Sequence, residues 1–202
     1  MRIHVLYAHP DIESFNGSLA DAYCAAAAGA GHEVRRRNLA ELKFDPILHC
    51  GLRRVQPLES DLAAAQENLS WCEHFALFYP VWWGNVPALL KGFFDRTLYS
   101  QFTFRHDVND PFWRKLLEGR SADIVTTSDA TASWLRRRYR DADINAVRNA
   151  TLEICGMQPV RVTRVGGVKD LTPRQRKAWV ARVSKLPALL PLPKHAPHGS
   201  GQ

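Results

Sequence analysis

Five short runs with strand-like composition alternate with segments at helical spacing along this 202-residue chain. The runs cover residues 3–8, 32–38, 73–79, 121–127 and 159–165. The first and third are nearly continuous in apolar residues, as strands covered on both faces are. The second carries Arg35, Arg36 and Arg37, which suits an edge. Between the runs, Leu19, Tyr23, Ala26 and Ala30 share a helical face from about Asn16, stopped by Gly29 and Gly31. Residues 58–71 and 87–98 read as helices, the latter opening on Pro87. Ile144, Val147, Thr151 and Ile154 mark another, closed by Gly156, and Thr172-Pro173 caps a last one carrying Trp179, Val183 and Leu186. Residues 39–57 form a long irregular connection, and 99–115 an aromatic, irregular one. With right-handed crossovers, this alternation predicts an α/β chain with a doubly wound five-stranded parallel sheet. Residues 1–188 make one domain and 189–202 a flexible C-terminal tail rich in Pro, His and Gly.

Composition narrows the class. The chain is 46% hydrophobic and 23% charged, as soluble globular proteins are. No apolar run approaches the roughly 18–20 residues that span a bilayer. Residues 1–7 are too short for a signal peptide, so the cytoplasm is the expected location. Cys24, Cys50, Cys72 and Cys155 form no C-x-x-C pair and lie near no His cluster, which predicts reduced structural thiols and no metal site. The net charge of +7 comes largely from 35–37, Arg53-Arg54, and 136–138 with Arg140. A basic surface draws phosphorylated cofactors, anionic lipid or nucleic acid. No recognition-helix, RNP or zinc-finger pattern accompanies the arginines, so nucleic acid is not an expected partner.

In a doubly wound sheet, ligands bind in the crevice beyond the carboxyl ends of the strands. Three loops stand there. After the first strand, His9 precedes Ser14, Phe15, Asn16 and Ser18 at the start of a helix, where free N–H groups and the helix dipole favour a phosphate. The loop lacks G-x-G-x-x-G and the Walker lysine. Ser14 or Asn16 serves equally well as an ordinary helix cap. After the third strand, Pro80, Val81, Trp82, Trp83 and Gly84 place two adjacent indoles on a strand-to-helix loop, suited to a flat ring system. After the fourth, Thr126, Thr127, Ser128 and Asp129 bring small hydroxyl residues and backbone amides to a ring edge. A phosphate subsite, an aromatic wall and a polar rim in one crevice are what a flavin requires.

The same residues resemble the NAD(P)H:quinone oxidoreductases of the flavodoxin-like fold. The likeness rests on His9-Pro10 with Ser14-Phe15-Asn16, on Phe44-Asp45-Pro46-Ile47, and on residues 80–87 with 89–96. It runs in order over about residues 2–186. It implies flavin-phosphate contacts from His9, Phe15 and Asn16, and a glutamine near the cofactor at Gln66. It implies ring contacts from Pro80, Val81, Trp82, Trp83 and Gly84, and rim contacts from Thr126 and Thr127. The family implies FAD, favoured by Gln66, with FMN the alternative. Gly84 stands where better-known members carry Phe, and Ser128-Asp129 where they carry Gly-Gly. No counterpart of their active-site Tyr and His is evident, since Trp134 and Tyr139 lie in a different local pattern.

The implied activity is two-electron, ping-pong hydride transfer from NAD(P)H through the flavin to a quinone or similar acceptor, with Trp83 and Thr127 at the reacting face. Backbone amides of 126–129 would meet the ring's anionic edge, and Asp129 is expected to point away from it. The resemblance also implies a homodimer with the pocket at the subunit boundary, which Phe102, Phe104, Phe112 and Trp113 would line. Arg136 to Arg140 read as a solvated helix face or as an attraction for the 2′-phosphate of NADPH. The alternatives are a flavin-binding regulatory subunit of a potassium-efflux system and a non-enzymatic electron carrier. Classical flavodoxin carriers are acidic, and this chain is basic.

Overall fold

The computed structural model describes residues 1–98, 100–105 and 114–191. Its centre is a five-stranded, wholly parallel sheet in the order β2-β1-β3-β4-β5, formed by β1 (Arg2–Tyr7), β2 (Glu33–Asn38), β3 (His74–Pro80), β4 (Ser121–Thr127) and β5 (Val160–Val165). Helices α1 (Phe15–Gly29), α2 (Ser60–Trp71), α3 (Ala88–Thr97), α4 (Ala132–Tyr139) and α6 (Pro173–Val183) connect or cover the strands. A short turn of helix, Ala142–Ile144, runs into a π-helix, Asn145–Glu153, and together these make α5. The chain reverses its winding direction at β1, so β1 and β3 flank the switch point where an open crevice forms.

Every residue of β3 is buried, as the middle of a doubly covered sheet demands. One core, with Leu6, Leu62, Phe75, Leu77, Phe93 and Ile124, lies under α2, α3 and α5. The other, with Val5, Leu19, Tyr23, Phe78, Val125 and Val183, lies under α1 and α6. The charged second run is indeed the edge strand, with alternating exposure. Its arginines cover aromatic faces: Arg35 sits 3.9 Å over Trp71 and Arg36 5.3 Å over Tyr7. The long connection after β2 is pinned by buried Arg96, which donates to the carbonyls of Asp45 and Pro57 and to Glu59.

Three expectations change. Helix α3 begins at Ala88, with Pro87 as the capping residue just outside it. The helix over Ile144 to Ile154 winds as a π-helix, and Thr151 Oγ1 donates to Ala146 O five residues back at 2.8 Å. The wider turn moves the buried face to Val147, Leu152 and Cys155 and leaves Ile154 45% exposed. Leu190 is buried against α1, so the folded body continues past residue 188. Within the expected aromatic pocket wall, Phe102 packs on the core of its own chain, and Phe104 pairs by backbone with Lys115. Tyr99, Phe112, Trp113 and the tail from 192 lie outside the described residues. Among the described residues, no helix is long and apolar enough to cross a membrane, and no cluster of His, Cys, Asp or Glu could hold a metal ion.

Candidate functional site

The loop after β3 closes in a two-residue turn. Trp82 N–H donates to Asn85 O and Asn85 N–H to Trp82 O, both at 2.9 Å. The two residues between them, Trp83 and Gly84, have φ of 52° and 72°. Positive φ at both positions is the type I′ signature, which suits glycine and strains a bulky residue by roughly 1–3 kcal/mol. The turn holds the Trp83 indole 95% exposed. Gly84 meets a second constraint, since a Cβ there would lie 2.6 Å from Cδ2 of Tyr139. The Tyr139 ring, at the end of α4, fills the space that a side chain at 84 would need.

The loop after β1 is clamped around α1. Ser14 is the N-cap, and its Oγ accepts from Gly17 N–H at 3.1 Å. Tyr7 Oη lies 2.7 Å from Ser14 Oγ and donates to Asp11 O at 2.5 Å. Gly17 permits this, because a Cβ there would be 2.5 Å from Ile12 O. Asn16 is buried, and its Nδ2 donates to Thr127 Oγ1 at 3.1 Å and to Tyr79 O at 3.4 Å. It therefore ties α1 to the ends of β3 and β4. Among the described residues, the N–H groups of Phe15 and Asn16 have no partner. Asp11 N–H donates to His9 Nδ1 at 2.9 Å, so the neutral ring carries its proton on Nε2. Burial, opposed in part by the Asp11 carboxylate, holds the His9 pKa below its ordinary value and favours that neutral form.

The loop after β4 extends the sheet before it turns. Thr127 O accepts from Val81 N–H at 2.7 Å, and Ser128 N–H donates to Val165 O at 3.0 Å. Ser128 Oγ donates to Ala130 O at 2.7 Å. Gly166 lets this loop pass β5 closely, since a Cβ there would be 2.7 Å from Ala132 N. Among the described residues, the N–H groups of Asp129 and Ala130 have no partner.

These loops surround one cleft of about 430 Å³. The protein-family signature described as a flavodoxin-like fold matches residues 1–186. The chain belongs to that family. Its relatives include an uncharacterized NAD(P)H oxidoreductase of Haemophilus influenzae, 26% identical over 92% of this chain and 96% of the relative. They include a ribosyldihydronicotinamide dehydrogenase (quinone) of Pongo abelii, 24% identical over 91% of this chain and 89% of the relative. Among solved structures, an NAD(P)H:quinone oxidoreductase from Methanothermobacter marburgensis aligns with a TM-score of 0.77 at 22% identity, over 93% of this chain and 95% of that one.

In this flavodoxin-like chain the cleft gathers His9, Ser14, Phe15, Asn16, Pro80, Val81, Trp82, Trp83, Gly84, Thr127 and Ser128. Two expected residues are elsewhere. Gln66 lies outside the cleft lining, where its Nε2 donates to Thr97 O at 2.8 Å and ties α2 to α3. Thr126 also lies outside the lining, because strand residues alternate sides and Thr127 takes the cleft side. Asp129, expected to point away, is an exposed lining residue. The expected amide donor at Ser128 is engaged with β5, whereas those of Asp129 and Ala130 are free among the described residues. The sequence reading missed α4 as a wall, although Trp134, Leu135 and Tyr139 all line the cleft, as does Val168. Trp134 and Tyr139 meet edge to face at 5.0 Å. The signal was present as aromatic residues at i and i+5 in an arginine-rich helix.

Proposed function

We propose that this chain is a flavin-dependent NAD(P)H oxidoreductase that reduces a quinone or similar acceptor. One observation carries the reading. Loops after β1, β3 and β4 meet at a single cleft that pairs unpartnered N–H donors with aromatic walls. The names of the relatives point to the same chemistry. A flavin would supply the hydride chemistry, accepting from the nicotinamide and delivering to the acceptor.

The chain's own residues would hold and tune that group. The free N–H groups of Phe15 and Asn16 at the α1 N-terminus suit a phosphate, and His9 Nε2–H adds a neutral donor. The buried Asn16 Oδ1 has no partner, and a ribityl hydroxyl is the donor it lacks. The N–H groups of Asp129 and Ala130 would face the polar edge of the ring as fixed dipoles. Thr127, its Oγ1 already accepting from Asn16, keeps a hydroxyl proton to donate there. Trp82 and Trp83 would bound the ring and leave one face for the nicotinamide and then the acceptor. Gln66, the residue that favoured FAD, lies outside the cleft lining, so FMN stands level with it. The exposed indoles of Trp82, Trp83 and Trp134 around the mouth fit a homodimer closing over the cleft. A cytoplasmic location accords with a nicotinamide reductant.

The absorption spectrum of purified protein tests the cofactor, and nucleotide release separates FAD from FMN. Steady NAD(P)H consumption with a soluble quinone is the expected activity. Colourless protein that takes up neither nucleotide overturns the reading. Bound flavin without turnover returns it to the electron carrier or the transporter regulator.

A further inference from the structure

Among the described lining residues of the cleft, the titratable side chains are His9, Asp129 and Tyr139, and no lysine or arginine is present. Any cation for a ligand that projects from the cleft must come from outside its lining. Helix α4 brings four arginines there: Arg136, Arg137, Arg138 and, just past its end, Arg140. They are not equivalent. Arg136 Nε pairs with Asp141 at 3.3 Å. Arg140 is the left-handed capping residue, beyond the last helical position. At 3.6 residues per turn, Arg138 falls on the arc between the cleft-lining Trp134 and Leu135, while Arg137 falls outside that arc. Side chains on a helix lean toward its N-terminus, which tilts Arg138 toward the Trp134 end of the mouth. Arg138 is exposed and, among the described residues, makes no ion pair or hydrogen bond.

We propose that Arg138 receives the 2′-phosphate that distinguishes NADPH from NADH, so that α4 sets the enzyme's choice of reductant. The inference rests on a nicotinamide dinucleotide being the reductant. An unpaired guanidinium on the cleft side of α4 matches a phosphate dianion in charge and in its forked donor geometry. The lining itself holds no lysine or arginine to pair with that phosphate, and its Asp129 carboxylate is repulsive to it.

Two measurements test it. The first compares kcat/KM for NADPH and NADH in the native enzyme, Arg138→Ala and Arg137→Ala, each corrected for bound flavin. The native enzyme should prefer NADPH, and Arg138→Ala should fall about tenfold more with NADPH than with NADH, chiefly through KM. The native preference should shrink as salt is raised, because the site is exposed. An equal fall with both nucleotides, an unchanged ratio, or a matching effect of Arg137→Ala overturns the assignment. The second is calorimetric titration with 2′,5′-ADP against 5′-AMP, which needs no turnover. Tighter binding of 2′,5′-ADP that Arg138→Ala abolishes supports the site even if no nucleotide is oxidised, in which case the proposed function alone fails. No difference between the two adenylates removes the site while leaving the oxidoreductase reading intact.

Discussion

The two ends of β4 treat polar groups in opposite ways. Near its start, Asp123 is 1% exposed and fully partnered. It accepts from Arg161 Nε at 2.6 Å and Nη2 at 2.7 Å, and from Tyr23 Oη at 3.0 Å, with His74 Nε2 at 3.2 Å. Burial works to raise its pKa, but the hydrogen bonds from His74 and Arg161 outweigh that and hold it below the ordinary value. Past its carboxyl end, the N–H groups of Asp129 and Ala130 have no partner among the described residues, like those of Phe15 and Asn16 in the loop after β1. One end uses its polar groups to fix the sheet, and the other leaves backbone donors free in residues that line the cleft.

The contrast can be broken at its strong end. Asp123→Ala would leave Arg161 and His74 without their shared acceptor and should lower stability by about 3–5 kcal/mol in urea unfolding. Flavin bound per folded molecule should not change. A collapse of flavin binding in the folded fraction would mean that the two ends are coupled. Next in size is His4, a core histidine whose pKa burial lowers from 6.5 to about 4. Its neutral ring is favoured by folding, so its contribution is complete above about pH 6.5 and is lost as pH falls toward 4. The loss is on the order of 3 kcal/mol. Melting curves across that window should slope downward in the native protein and flatten in His4→Leu.

At the ligand end the effects on stability should be smaller and those on binding larger. Gly84→Ala forces an L side chain onto φ of 72° and into the Tyr139 ring, at about 1–3 kcal/mol. Removing the ring with Tyr139→Ala should recover only the steric part, which a double-mutant cycle measures. Ser14→Ala deletes the α1 cap and should cost about 1 kcal/mol. If it abolishes flavin binding at unchanged stability, Ser14 contacts the cofactor rather than only capping the helix.

Much of this was readable in the chain. The five strands announced themselves because β3 is apolar throughout and β2 is charged enough to be an edge. The loops after β1, β3 and β4 followed from topology, since parallel strands put those loops on one edge. What the chain did not show was tertiary. Gln66 sits on a helix whose register with α3, not with the cleft, decides its partner. Trp134 and Tyr139 belong to a helix whose arginines drown its apolar signal, and only folding shows that it closes the cleft. The π-helix breaks the 3.6-residue spacing on which the face of Val147 was judged. Ser14 was readable as a cap or as a ligand contact, and the hydrogen bond to Gly17 shows the cap.

The strained turn at Trp83 carries a consequence for how the molecule can be watched. An indole in water, fixed by its backbone at the rim of the cleft, is an intrinsic fluorophore placed within energy-transfer range of whatever coloured group lies inside. Its emission should report filling, emptying and capping of the cleft in real time, with no label attached.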